Sequence, residues 1–257
     1  MSSRFVERVE RFGRFCTLSG DIFDRGVIGG FRGQFPRISE IARFVYRMGV
    51  GSVPIVALIC TFIGMILAMQ TAYQLAKFGA TLYVASLVSV SVVRELGPLI
   101  TAILVSGRVG AGVAAELGTM AVSEEITALR MMALNPVRIL LVPRAAGLVI
   151  ALPILTLIGD AVAILGGLII GWGYLHIPPQ LFYKVAVEGL VMKDFLTGFV
   201  KSVIFAVLIG LIACYKGYSV RGGAVGVGTA TTETVVVSIV AIIMADLLFT
   251  ALFYFAA

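Results

Sequence analysis

The chain has 257 residues, of which 60% are hydrophobic and 13% are charged, and its formal net charge is +6. A soluble domain usually has about 45 to 50% apolar and about 25% charged residues, because it must cover its core with a polar surface. The composition therefore predicts a membrane protein and excludes a disordered chain or a disulfide scaffold. In a membrane protein, the positive charge points to lipid headgroups rather than to nucleic acid.

The first 47 residues form a basic arm, with nine arginines against five acidic residues. The arm lacks the uninterrupted apolar segment of a cleavable signal peptide, so we expect it to stay in the mature protein. At 100° per residue four apolar side chains share one face, with arginines opposite: Phe5, Val9, Phe12 and Cys16. This pattern predicts an amphipathic helix in the membrane interface, and the alternative is a helix packed on the rest of the protein.

Residues 48–257 are predicted to form a transmembrane domain, because five apolar segments there are each long enough to cross about 30 Å of hydrocarbon. The segments are predicted at about 48–76, 83–107, 145–172, 195–215 and 235–255. A glycine-rich segment at 222–232 lacks a nucleotide-binding spacing and is predicted to be a flexible loop. The expected fold class is an all-α polytopic membrane protein with an N-terminal interfacial helix, about five transmembrane helices and a short cytoplasmic coupling helix.

The lysines and arginines outside the spans predict the orientation. With the N-terminal arm in the cytoplasm, fifteen of them lie on the cytoplasmic side, and only Lys77, Lys184 and Lys193 lie on the other side. We therefore expect a multi-pass membrane protein with a cytoplasmic N-terminus.

Two adjacent charges, Arg94 and Glu95, interrupt the second span. A charge at mid-span costs roughly 2.5 to 3.5 kcal/mol on insertion scales, so it is kept mainly where it meets a partner, water or the bundle interior. These two adjacent charges, the Arg94–Glu95 step, predict a polar site inside the membrane. The alternative is a structural ion pair between helices. Gln70 of the first span could join this site, or could make a helix–helix hydrogen bond instead.

Three other acidic or basic residues also lie inside spans. Lys201 and Asp246 have similar depth in consecutive antiparallel helices, and we expect a structural ion pair between them. Asp160 has no evident partner and is a weaker candidate for lining a cavity. Small residues at four-residue spacing predict close helix packing, and these are Gly107, Ala111, Ala115, Gly167 and Gly171.

The connection between the second and third spans predicts a short cytoplasmic helix at about 123–134. Ser123 can cap its N-terminus, and Glu124 and Glu125 suit the positive end of the helix dipole. The residue before Pro136 is disfavoured in a helical conformation, so the helix should end at or before Asn135. A helix this short is marginal in water, so its apolar side should pack on the spans or, as we favour, on another protein.

Catalytic and metal chemistry lack the necessary residues in this sequence. His176 is the single histidine, and the three cysteines are far apart without metal-ligand spacing. No GxxxxGK[ST] motif occurs, so the cradle of a P-loop ATPase is absent. We therefore expect no catalytic residue, no metal site and no cofactor in this chain.

Two stretches resemble the MlaE/YrbE family, VRELGPLITAILVSGRVGAGVAAELGTMAVSEEITALRMMALNPVRILLVPR at residues 93–144 and GGAVGVGTATTETVVVSIVAIIMADLLFT at residues 222–250. Members of this family are permease subunits of ABC transporters that move phospholipids or other lipids in double-membrane bacteria, in mycobacteria and, as relatives, in chloroplasts. The resemblance extends from about Met48 to the end of the chain.

The resemblance implies a homodimer in the bacterial inner membrane that transports phospholipid between the inner and outer membranes and maintains outer-membrane lipid asymmetry. It implies cytoplasmic ABC ATPase subunits that carry ATP and Mg²⁺, STAS-domain subunits and a periplasmic MCE-domain hexamer as partners. The lipid would lie in a cavity at the dimer interface, contacting Gln70, Arg94, Glu95, Met69, Tyr73, Phe78 and Leu96. Coupling to the ATPase would involve Ser123, Glu124, Glu125, Ala128 and Leu129. The alternative function is an ion- or proton-coupled secondary transporter, although the sequence shows no inverted repeat typical of that class.

Overall fold

The structure, a computed structural model, describes residues 13, 15–22, 24 and 38–255. Of these residues 91% are helical and none forms a strand, so the predicted all-α fold class is confirmed. Residues 15–22 of the N-terminal arm are helical. Most of the amphipathic stripe predicted for the arm lies outside the described residues.

Seven helices follow one another along the described chain from residue 38 onward. In order they are α1 (Ser39–Ala76), α2 (Thr81–Val122), α3 (Glu125–Met131), α4 (Val137–Gly173), α5 (Pro179–Gly189), α6 (Met192–Tyr218) and α7 (Gly223–Phe255). Among the described residues, five helices are long and apolar enough to cross a membrane, and α3 and α5 are the two short ones. The prediction of five spans is confirmed, and the chain is a multi-pass membrane protein.

The long helices extend beyond the predicted spans. The predicted second span ends at about residue 107, but α2 continues to Val122 and reaches 42 residues. At 1.5 Å per residue this helix is about 63 Å long, roughly twice the thickness of the hydrocarbon core. Hydropathy alone underestimates such helices because it marks only the part that is apolar enough to lie in lipid.

The prediction of a flexible loop at 222–232 is wrong, because residues 223–232 form the first turns of α7. A Cβ on Gly118 of α2 would lie 3.4 Å from a methyl group of Val227, so this part of α7 is packed against α2. Packing of this kind stabilises a helix that the glycine content disfavours. The chain reversal uses Gly222 and Gly223, whose φ angles of 92° and 70° suit glycine.

The chain divides into two compact units. Unit 1 contains Met1–Arg47, Ser106–Val149 and Val207–Ile239. Unit 2 contains Met48–Val105, Ile150–Ala206 and Val240–Ala257. Each unit therefore combines segments that are distant in sequence.

In unit 2, α1 and α4 cross at backbone contact distance. A Cβ on Gly64 would lie 1.9 Å from the carbonyl oxygen of Ala163, and a Cβ on Gly166 would lie 2.3 Å from that of Thr61. No side chain fits at either position without moving a backbone, as in other close helix crossings built on small residues. The two glycines thus determine how closely α1 and α4 approach.

The predicted close packing at Gly167 and Gly171 is present, with Val88 of α2 nearest to Gly167 and Phe182 of α5 nearest to Gly171. A Cβ on Gly171 would lie 2.7 Å from the ring of Phe182, which is 1% exposed. The same prediction is wrong for Gly107, which is exposed and would have no atom within 4 Å of an added Cβ. The close positions on that part of α2 are instead Gly110 and Gly118, because they face its helical neighbours.

We expect Gly64→Ala to lower the free energy of unfolding by about 1 to 3 kcal/mol, because the added methyl group would overpack the contact with Ala163. Gly228→Ala is the matched control. It lies in α7 with no atom within 4 Å of its Cβ position, and helix propensity predicts a gain of up to about 1 kcal/mol. Thermal unfolding of both variants in the same detergent measures the difference, and equal midpoints would contradict the close crossing.

Candidate functional site

The Arg94–Glu95 step lies in a π-helical turn of α2, Val92–Leu96. Pro98 has no N–H to donate to the Arg94 carbonyl, and its ring would clash with that carbonyl in a regular α-helix. The wider turn relieves this conflict, since the Gly97 N–H donates to the Val92 carbonyl five residues earlier. Single π turns of this kind change the direction of side chains and are frequent at functional sites.

Glu95 is directed to a buried lysine of α6. The Lys201 side chain is fully buried, and its ammonium contacts the Glu95 carboxylate. The same ammonium donates to Asp246 Oδ1 at 2.8 Å and to Thr250 Oγ1 at 2.7 Å. The Thr250 hydroxyl in turn donates to the Glu95 carboxylate at 3.2 Å. All three N–H donors of the ammonium are therefore satisfied.

The charges of this buried cluster do not cancel when all its groups are ionised. One ammonium, that of Lys201, faces the two carboxylates of Glu95 and Asp246. The lysine is fully buried, whereas the two acidic side chains are 30% and 17% exposed. Each acid is therefore partly open on one side, and Glu95 is the more accessible.

Arg94 is directed elsewhere, to the first turn of α6. One guanidinium nitrogen lies 3.6 Å from Asp194 Oδ1, and the two side chains are 35% and 11% exposed. The distance exceeds that of a good charge-assisted hydrogen bond, which is about 2.7 to 2.9 Å. Arg94 is thus a loosely paired cation that an approaching anion can reach.

The structure brings together some of the sequence-predicted residues and separates others. Lys201 and Asp246 form the expected contact, and Glu95 belongs to the same cluster. Gln70 lies on the exposed side of α1, and among the described residues no hydrogen bond joins it to Arg94 or Glu95. Its membership of the site stays a prediction.

The apolar residues expected near a lipid are mostly exposed. Met69 and Tyr73 of α1 are 55% and 68% exposed, and Phe78 in the following turn is 80% exposed. Leu96 is half-buried beside Glu95. Because α1 packs against α2 in this unit, an open apolar surface and a reachable Arg–Glu step occur on adjoining helices. Polar groups beside an apolar wall are what an amphiphilic ligand requires.

Asp160 is buried in unit 2 and lies close to the backbone of α2. It is 7% exposed, and a Cβ on Gly97 would lie 1.6 Å from its Oδ1 atom. Among the described residues, this oxygen has no hydrogen-bond partner. Asp160 is therefore packed between helices and is not part of the Lys201 cluster.

Two residues that complete these contacts have no signal in the sequence. Thr250 is one of several hydroxyl-bearing residues in α7, and threonine in a helix most often bonds its own backbone. Asp194 lies in the first turn of α6, a position where acidic residues are common, and only the fold places it next to Arg94. A depth comparison of α2 with the start of α6 would have been needed to find it.

The helix α3 has fewer residues than predicted, and it begins at a later residue. It spans Glu125–Met131, and Ser123 does not cap it, so that part of the prediction is wrong. Ser123 ends α2, and its hydroxyl bonds the Glu125 carboxylate at 2.9 Å. Glu124 takes a left-handed φ of 60°, which turns the chain sharply between the two helices. Glu124 occupies the N-cap position of α3, so Ser123 lies one residue too early to cap it.

One side of α3 packs inward and the other side is open. Ile126 is buried at 6% exposure and Leu129 is half-buried, so the predicted apolar side contacts the protein itself. Glu124, Glu125 and Ala128 are exposed.

Exposed methionines continue the open side of α3. Met131 is 85% exposed and Met132 is 61% exposed, although both are apolar. Methionine side chains adapt well to the surface of a binding partner. This exposed apolar patch is a candidate docking surface.

Comparisons with known proteins point to a permease. Residues 41–252 match the family model described as Permease MlaE. A probable ABC transporter permease protein of Rickettsia typhi is 37% identical over 217 residues, covering 84% of each chain. The intermembrane phospholipid transport system permease protein MlaE of Haemophilus influenzae is 35% identical over 255 residues, covering 98% of this chain and 97% of that protein. The range matched by the family model includes the Arg94–Glu95 step and α3.

Removing the buried ammonium of Lys201 should lower the stability of the protein. In Lys201→Met, the carboxylates of Glu95 and Asp246 lose their shared cation, and we expect about 3 kcal/mol of destabilisation. The triple variant K201M/E95Q/D246N should recover most of this loss. Lys216→Met is the control, because its partner Glu233 is 53% exposed and such a pair contributes at most about 1 kcal/mol.

Thermal unfolding in detergent measures the stability of all three variants. A Lys201→Met protein as stable as Lys216→Met would contradict the structural importance of the buried cluster.

Proposed function

The chain belongs to the MlaE permease family, and on this premise we propose that it is the permease subunit of an ABC transporter that moves phospholipid between the inner and outer membranes. The relatives named as ABC transporter permeases support the general role, and the Haemophilus relative is named for intermembrane phospholipid transport. A permease of this kind is a non-enzymatic transporter subunit. Hydrolysis of ATP, with its Mg²⁺, would belong to a partner ATPase, and this chain would hold no cofactor.

The observation that best supports a lipid substrate is that α2 carries the partly exposed Arg94–Glu95 step while α1, which packs against α2, carries an open apolar surface. Arg94 can bind the phosphate of a headgroup, because a guanidinium matches phosphate geometry with two parallel hydrogen bonds. Met69 and Tyr73 offer apolar contact for acyl chains. Gln70, Phe78 and Leu96 complete the proposed lipid-binding set.

We place the lipid in a cavity between two copies of this chain. The apolar side chains of α1 that a single chain leaves exposed would then be shared between the lipid and the second copy. A homodimer also gives two symmetric docking surfaces for two ATPase subunits. STAS-domain subunits and a periplasmic MCE-domain hexamer are the further partners that the family implies, with the N-terminus in the cytoplasm and the chain in the inner membrane.

Energy would reach the lipid through α3. Closure of the ATPase subunits would move α3, and the sharp turn at Glu124 joins α3 directly to α2. Because α2 runs as one helix from Thr81 to Val122, a displacement at its end can be transmitted to the Arg94–Glu95 turn. Transport then requires that this bundle has two arrangements, one open to lipid and one closed.

One observation favours a proton-coupled secondary transporter as the alternative. Asp160 is buried with an unpartnered carboxylate oxygen, and buried acids inside membranes are frequent in proton pathways. The two functions differ in their energy source.

We expect lipid transfer by the reconstituted complex to require ATP and to be unaffected by a protonophore. The measurement is transfer of a fluorescent phospholipid from proteoliposomes to acceptor vesicles, with and without each agent. Transfer that persists without ATP and stops with the protonophore would favour the secondary transporter.

A photoreactive residue at Tyr73 should label phospholipid at least about threefold more than one at Leu165 of α4, because only the first lies in the proposed lipid-binding set; the excess is an order-of-magnitude expectation for a bound over a bulk lipid. Leu165 is a suitable control because it is 55% exposed and apolar. Equal labelling, quantified by mass spectrometry of the crosslinked protein, would count against the binding surface.

Met131→Asp should prevent stable association with the ATPase subunit, because a charge would enter the apolar centre of the proposed docking surface. Met192→Asp is the control, since Met192 is also a methionine and is 79% exposed. Co-purification of the ATPase with each variant is the readout. Loss in both variants, or in neither, would argue against docking at α3.

A further inference from the structure

We infer that the Asp194 carboxylate pairs with the Arg94 guanidinium when no lipid is bound. Asp194 then competes with the phosphate of the lipid headgroup for Arg94. The inference rests on the proposed function, since it assigns a regulatory residue to the same site. Asp194 would then weaken lipid binding and promote release, and it would do so without contacting the lipid.

The first support is the geometry of the pair. Asp194 Oδ1 lies 3.6 Å from a guanidinium nitrogen of Arg94, close enough for attraction and too far for a good hydrogen bond. A phosphate has several acceptor oxygens and can move until two of them meet the guanidinium. The incoming phosphate can therefore make a shorter and better aligned contact than Asp194 makes.

The second support is that Asp194 cannot follow Arg94. Its other oxygen, Oδ2, accepts a hydrogen bond from the Val191 N–H at 3.2 Å, just before α6 begins at Met192. An acidic side chain in the first helical turn that bonds back to the residue before the helix is one half of a capping box. The carboxylate is also favoured there by the positive end of the helix dipole. Asp194 is thus fixed at α6 by interactions that do not involve Arg94.

The third support is the different freedom of the two partners. The Asp194 side chain is 11% exposed, whereas the Arg94 side chain is 35% exposed and lies in a π turn. When a phosphate arrives, Arg94 can turn toward it while Asp194 remains in place. When the lipid leaves, the fixed carboxylate is available to take the guanidinium back.

This arrangement explains how a cationic site inside a membrane can release an anionic ligand. An unpaired arginine would hold phosphate strongly, because little water is present to replace the contact. A carboxylate waiting within 4 Å lowers the net gain from phosphate binding. Reversible binding, which transport needs, follows from this competition.

The test uses the complete transporter complex with two probes of identical acyl chains, a phosphatidylglycerol and a diacylglycerol that lacks the phosphate. Asp194→Asn removes the charge but keeps an oxygen that can accept the Val191 N–H. We expect the dissociation constant for phosphatidylglycerol to fall by about threefold, the order of effect of a partly exposed ion pair, and that for diacylglycerol to stay unchanged. ATP-driven transfer of phosphatidylglycerol should become slower, because release is impeded.

Three further variants make the result decisive. Asp194→Gln is a second uncharged variant with a side chain suited to a capping box, and it should act in the same direction if the asparagine protein is poorly folded. Glu188→Gln removes an equal charge from an exposed pair with Lys184, and it should change neither probe. Arg94→Gln should weaken phosphatidylglycerol binding and leave diacylglycerol binding unaltered.

The outcomes separate the two proposals. If Arg94→Gln weakens phosphatidylglycerol binding while both uncharged Asp194 variants bind as the unsubstituted protein does, the competition is refuted and the lipid site stands. If Arg94→Gln has no effect and the two probes bind equally in every variant, the proposed lipid site itself is refuted.

Discussion

The fully buried ammonium of Lys201 is the constraint on which the rest of unit 2 depends. A lysine that cannot reach water must find acceptors for three N–H groups, and it finds them on α2 and α7, at Glu95, Asp246 and Thr250. These contacts tie three membrane helices together at one depth. Because Glu95 takes part in this cluster, the neighbouring Arg94 is paired instead with Asp194 in the first turn of α6. The arginine that remains is loosely paired and reachable.

Local backbone chemistry explains why such a step can exist in the middle of α2. Pro98 prevents regular hydrogen bonding one turn later, and the π turn at Val92–Leu96 provides the extra width. The two residues of the step therefore have different roles. Glu95 joins the helices, and Arg94, which is loosely paired with Asp194, is the residue that we propose for the ligand. A single pair of adjacent charges thus links the stability of the bundle to the proposed transport.

Much of the fold and part of the site could be predicted from the sequence. Long apolar segments identify the five spans, and the cost of charges in lipid marks Arg94, Glu95, Lys201 and Asp246 as residues that need partners. The Lys201–Asp246 contact follows from their similar depth. The membership of Glu95 in that cluster does not, because the π turn that redirects it depends on backbone geometry. Asp194 was missed because its partner is distant in sequence, and the start of α7 was missed because packing against Gly118 overrides glycine's low helix propensity.

The central claim is that Arg94 binds the headgroup of a lipid inside the membrane. The most direct measurement is a cryo-electron microscopy map of the assembled transporter, prepared in native lipids without nucleotide. The account predicts headgroup density within hydrogen-bonding distance of the Arg94 guanidinium, with acyl-chain density along the open side of α1. A map in which Arg94 is enclosed by protein on all sides, with lipid density only at the outer surface of the bundle, would contradict it.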